Sequence, residues 1–136
     1  MTLAQYAKLY AATVVAFFAL DITWLGFVAK GFYTAQMGHL MRPDAQWVPA
    51  VAFYLIYIAA IIILCVNPAI EKQSMSRAVI LGAVFGLAAY AAFDLTGLAL
   101  LKDYPLAGGI VDLLWGTVLT ASVSGASYYV ARALLR

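Results

Sequence analysis

Three acids stand in stretches that are otherwise apolar: Asp21 in FFALDITWLGF, Asp94 in AAFDLTGLAL and Asp112 in IVDLLWGTVL. An aspartate inside a bilayer costs about 2.5 to 3.5 kcal/mol on insertion scales and normally faces a bundle interior or a wet cavity. Three of them in 136 residues point to a common polar site. In a low dielectric with like charges close by, such acids share protons, which suits acid/base chemistry, proton transfer or the anchoring of a polar ligand. Three carboxylates could also hold a hard cation such as Mg²⁺. No metal-ligand motif accompanies them, so neither a metal nor another cofactor is expected. The architectural alternative is that the acids fasten helices by accepting bonds from Tyr, Trp or Thr.

Spacing supports a shared site. Asp21 precedes Lys30 by nine residues, Asp94 precedes Lys102 by eight, and Asp112 follows Pro105 by seven. At 1.5 Å per residue these are depths of roughly 10 to 14 Å below one boundary. Thr13, Phe17, Asp21 and Trp24 share a helical face, as do Tyr90, Asp94 and Gly97. Asp112, Gly116 and Thr120 begin a small and polar ridge that continues to Ser124 and Tyr128. The candidate pocket is therefore Asp21, Asp94 and Asp112 with Thr23, Trp24, Tyr54, Tyr57, Tyr90, Thr96 and Trp115. Ordinary roles compete with this reading. Thr13, Thr96, Thr120 and Ser124 can bond back to their own helices, and Tyr54 and Tyr57 can be core filling with a partnered hydroxyl. Gly82-x-x-x-Gly86 reads as a helix-packing motif. His39 reads as a polar surface residue, and Lys30 and Lys102 as anchors reaching the headgroups.

The elements that must hold these residues follow from composition. The chain is 66% hydrophobic and 10% charged, against about 25% charged in soluble domains. A span needs about 20 apolar residues, so the length accommodates four. The expected architecture is all-α, one domain over residues 1–136, a bundle of four transmembrane helices at Tyr6 to Ala29, Trp47 to Val66, Ser76 to Leu101 and Leu106 to Ala131. A net charge of +2 excludes a nucleic-acid surface, and the single Cys65 excludes both a disulfide framework and a zinc site. Lys8 before an apolar stretch superficially resembles a signal peptide, but that stretch is too long, contains Asp21 and lacks a cleavage site. In the connection from Lys30 to Gln46, residues Tyr33, Met37, Leu40 and Met41 fall on one face. A short interfacial helix ended by Pro43 is expected there.

With both termini cytoplasmic, Lys8, Lys72, Arg77, Arg132 and Arg136 lie inside and Lys30, Arg42 and Lys102 outside, a weak positive-inside bias. Trp47, Tyr33 and Tyr104 then sit near the outer boundary. The halves 1–70 and 71–136 echo one another: Asp21-Ile-Thr23 and Asp44-Ala-Gln-Trp47 in the first, Asp94-Leu-Thr96 and Asp112-Leu-Leu-Trp115 in the second. A parallel repeat and chance matching among few residue types both account for it.

The strings FFALDITWLGFVAKGFY, AAFDLTGLALLKDYP and VDLLWGTVL resemble the bacterial membrane family known as domain of unknown function 2177, over nearly the whole chain. Its motif elements fall on Asp21, Trp24, Gly26, Tyr33, Asp94, Thr96, Lys102, Pro105, Asp112, Trp115 and Gly116. The family pattern places Asn where this chain has Gly97 and Tyr where it has Phe93, which removes two polar groups beside Asp94. The resemblance implies a bacterial inner-membrane location, and a setting near enzymes that modify unsaturated fatty-acyl chains. It supplies no established activity.

Three functions are consistent with these features. The first is binding of a small or lipid-derived ligand by the carboxylate pocket in membrane-lipid modification, with membrane lipid as partner. The second is a proton-coupled small-solute transporter. The third is a non-catalytic accessory subunit, working in a homo-oligomer or a larger membrane complex.

Overall fold

In the computed structural model, which describes residues 1–136, the chain is helical with no strand. Five helices follow in order: α1 (Leu3–Val28), α2 (Lys30–Met37), α3 (Trp47–Glu71), α4 (Met75–Leu100) and α5 (Leu106–Leu134). All but α2 are long and apolar enough to cross a membrane, so the protein is a multi-pass, all-α membrane protein.

Local chemistry explains the helix boundaries. Thr2 opens α1 with a reciprocal cap: its hydroxyl accepts from the Gln5 amide at 3.1 Å, and Gln5 Oε1 accepts from the Thr2 amide at 2.8 Å. Ser74 caps α4 by accepting from the Arg77 amide. α3 runs five residues past its expected end at Val66 and carries Pro68 within it. The wide π-type turn at Ile62–Val66 lies directly before that proline and absorbs its missing N–H. The short helix after the first span is present. It ends at Met37 and a 3₁₀ turn over Gly38–Leu40, not at Pro43, because Gly38 weakens the helix before the proline is reached. Leu40 and Met41 therefore lie beyond its face.

The packing follows membrane logic. Lipid is as apolar as leucine, so outward-facing Val15, Ile22, Phe27 and Leu100 need no cover. The interior is marked instead by small and polar residues. α4 and α5 approach most closely, through Gly82 and Gly86 on one side and Gly116, Thr120 and Ser124 on the other. A Cβ at Gly82 would lie 2.5 Å from Ser124 Oγ, and one at Gly86 would strike the Gly116 carbonyl oxygen. The Gly-x-x-x-Gly motif is thus used within the bundle. α1 packs on α5, where the Thr13 and Ser127 hydroxyls meet at 2.7 Å.

α3 is held less evenly. Its Ile62–Val66 turn packs on both α4 and α5, while its first half leans on α1 and makes little contact with α4. The helices therefore splay at the end where α3 begins. At the opposite end the termini are tied together: Gln5 Nε2 donates to the Leu134 carbonyl at 3.0 Å, and Tyr6 donates to Asn67 Oδ1 at 3.2 Å. Between the ends, Leu9, Phe17, Ile58, Ile61, Leu119 and Val123 form a fully buried apolar core.

Candidate functional site

The last turn of α1 is a π-type turn over Trp24–Val28, closed by the Ala29 amide donating to the Trp24 carbonyl at 2.7 Å. Single π turns re-aim a side chain relative to a regular helix. Here the Trp24 indole lies flat on Trp115 of α5, with centroids 4.6 Å apart and planes 9° from parallel. The two stacked indoles serve two different aspartates. Trp115 Nε1 donates to Asp21 Oδ1 at 3.1 Å. Trp24 Nε1 donates at 3.0 Å to the Tyr33 hydroxyl, which donates in turn to Asp112 Oδ1 at 3.2 Å. Tyr33 belongs to α2, which is tied over this end of the bundle by the Gly108 amide donating to Gln36 Oε1 at 3.1 Å.

The third aspartate is served by the turn between α4 and α5. Asp103 takes the left-handed conformation, φ 58°, which an Asp tolerates better than most residues. Its carbonyl oxygen also lies 2.6 Å from His39 Nε2. The reversal lays the Tyr104 ring against Gly97, where a Cβ would sit 2.6 Å from Tyr104 Cε2. The Tyr104 hydroxyl then donates to Asp94 Oδ1 at 2.6 Å. Gly97, with no side chain, leaves room for a donor that arrives from position 104. Burial pushes the Tyr104 phenol above its ordinary value, and its bond to Asp94 adds to this. Burial likewise raises the Tyr33 phenol. Both remain donors.

Asp94 is fully buried, and its Oδ2 has no donor. The Asp94 and Asp112 side chains lie within hydrogen-bonding reach of one another, and Asp21 is near enough to act on Asp112. The donors to the three carboxyls are two tyrosines and one tryptophan, with no Lys or Arg among them. Beside Asp112 is a half-open hollow of about 320 Å³, lined by Phe53 of α3, Ala89, Tyr90 and Phe93 of α4, and Asp112 of α5. It occupies the splay between α3 and α4. Phe53 and Phe93 are 45% and 64% exposed, so its mouth faces sideways. Toward the bundle centre, Tyr57 stacks on both Phe53 and Phe85, at 5.2 and 5.1 Å between centroids.

The residues expected at the site separate into groups. Asp21, Asp94, Asp112, Trp24 and Trp115 form the hydrogen-bonded cluster just described, and Tyr90 lines the hollow next to it. Tyr54 packs edge-on to Phe17 and Phe18. Tyr57 lies deeper, its hydroxyl 2.7 Å from Thr120 Oγ1. Thr23 is exposed and donates back to the Ala19 carbonyl at 2.6 Å. Thr96, Lys30 and Lys102 are exposed. Asp44 is exposed in the connection before α3 and Trp47 is 70% exposed, whereas their sequence counterparts Asp112 and Trp115 are inside the cluster.

Tyr33 and Tyr104, expected as boundary aromatics and in the case of Tyr33 also as a family motif element, are the donors to Asp112 and Asp94. Phe53 and Phe93 were not expected at the site. A polar aromatic just beyond each span carrying an acid is a signal for the two tyrosines; for the phenylalanines there is none, because apolar residues fill every face of these helices.

These features define a four-span membrane protein with a carboxylate cluster at one end of its bundle. A model of the family described as predicted membrane protein (DUF2177) matches residues 6–129. The chain belongs to that family. No curated protein and no solved structure matches it.

Proposed function

We propose that the hollow beside Asp112 receives a lipid-derived ligand sideways from the bilayer, and that the Asp94–Asp112 pair anchors it or exchanges protons with it during membrane-lipid modification. The observation that carries this reading is the lateral mouth between α3 and α4 at the depth of the carboxyls. A chain entering there slides along Phe53 and Phe93 without crossing water. Two carboxyls within bonding reach are satisfied by one shared proton, which gives the pair both an acid and a base. Tyr104 and Tyr33 hold the outer oxygens of the pair and orient it. Trp115 holds Asp21 apart as a nearby fixed group. The test is the phospholipid acyl-chain profile, by mass spectrometry, of a deletion strain complemented with wild type or Asp112→Asn. The wild-type gene restores a profile that the variant does not. Identical profiles in deletion and wild-type strains overturn the reading.

A second reading, proton-coupled transport of a small solute, draws on the hydroxyl pairs Tyr57–Thr120 and Thr13–Ser127. They continue from the carboxyls toward the other end of the bundle. It requires an opening at that end, where Gln5 bonds the Leu134 carbonyl and Tyr6 bonds Asn67. Reconstituted protein that moves neither protons nor solute under an imposed potential eliminates it. Placement in a bacterial inner membrane with both termini cytoplasmic belongs to the same proposal.

A further inference from the structure

The chemistry lining the hollow selects for charge. We infer that its ligand is an amphiphilic ammonium ion, an alkylamine head on an apolar body, with the nitrogen against Asp112 and the body toward the lateral mouth. This deepens the proposed function and rests on it. Three observations carry it. Asp112 is the one ionisable carboxyl in a wall otherwise made of Phe53, Ala89, Tyr90 and Phe93, and aromatic faces with a carboxylate are the combination that holds organic cations. Asp94, fully buried, has an oxygen that no donor of the chain reaches, so beyond the one proton the pair shares nothing neutralises it, and one negative charge is left for a cation to answer. The carboxyls are held by neutral donors alone, so no side-chain cation competes for them. An anionic head would meet like charge, and a neutral alcohol would leave that charge unanswered.

The volume of about 320 Å³ is at the small end of ligand sites, enough for a head and the first part of a chain. The remainder stays in lipid. An ammonium head also gains most where water is scarce, since its attraction to a carboxylate is larger in low dielectric.

The experiment uses the full chain purified in a non-ionic detergent, with radiolabelled dodecylamine as probe at pH 7 and unlabelled dodecylamine, dodecanol and dodecanoate as competitors. Saturable binding is expected, with dodecylamine displacing the probe at least 10-fold more effectively than either competitor. Asp112→Asn should weaken probe binding about 10-fold, while Asp44→Asn, in the exposed connection, leaves it unchanged. Dodecanol or dodecanoate displacing the probe as well as dodecylamine overturns the ammonium inference and leaves a lipid-binding hollow standing. Each of the three is also run as a radiolabelled probe, and no saturable binding of any of them overturns both. The competitor series runs on the wild-type protein, so it decides even if the Asn variant does not fold.

Discussion

The Tyr104 hydroxyl, ten residues further along the chain, donates to Asp94 Oδ1 at 2.6 Å, and it can do so because Gly97 leaves its ring a place to lie. The relationship joins a residue outside the spans to an acid inside one. It makes the turn part of the site. Removing the hydroxyl leaves both oxygens of a buried carboxyl without a tyrosine donor, and removing the space displaces the ring.

Tyr104→Phe is expected to lower stability by about 1–3 kcal/mol, the cost of a buried group left unpaired. Gly97→Ala should cost a similar amount by forcing the Tyr104 ring away. Thermal unfolding in detergent measures both. Combining them should cost less than the sum, since each removes the same bond. Additive losses would show that Gly97 and Tyr104 act separately.

The stability of the folded chain should fall in strong base. Burial raises the Tyr33 and Tyr104 phenols above the ordinary tyrosine value of about 10. A proton held more tightly in the folded state contributes stability that is fully present below about pH 10 and is lost as pH rises through the raised folded values. The double variant Tyr33→Phe, Tyr104→Phe should show a shallower decline above pH 10 in denaturation curves taken across that range.

Asp21 accepts a bond from Trp115, so its oxygen matters to the fold more than its charge does. Asp21→Asn keeps an acceptor and should stay within about 1 kcal/mol of wild type. Asp21→Leu leaves the Trp115 N–H unpaired and should lose about 1–3 kcal/mol. Equal effects of the two variants, read by thermal unfolding, would remove the Trp115 bond from the account.

Gly86→Ala places a methyl against the Gly116 carbonyl. Separation of α4 and α5 should cost about 1–3 kcal/mol, and more than Gly26→Ala, where no atom lies within 4 Å. A melting-temperature comparison checks the order.

Cys65 is fully buried in the wide turn of α3. It should resist a maleimide in the folded protein and react once the chain is unfolded. Prompt labelling under native conditions would mean that the second half of α3 opens readily.

Much of this protein is legible in its residues before any coordinate. Long apolar runs can persist only as membrane helices, because every backbone N–H and C=O must then be satisfied within the segment. That argument yields four spans and one multi-pass, all-α chain. The cost of an acid in lipid likewise marks Asp21, Asp94 and Asp112 as inward-facing, and helical rise puts them at one depth. Only the tertiary structure decides which groups meet them. Tyr33 and Tyr104 reach the carboxyls through the placement of α2 and the left-handed Asp103, and Trp24 turns onto Trp115 through a π turn that no periodicity announces. The hollow depends on α3 leaning away from α4, a balance of contacts along two whole helices. In a membrane helix apolar residues fall on every face, so hydrophobic periodicity, which locates the core of a soluble helix, cannot separate a pocket wall such as Phe53 or Phe93 from a surface that meets lipid.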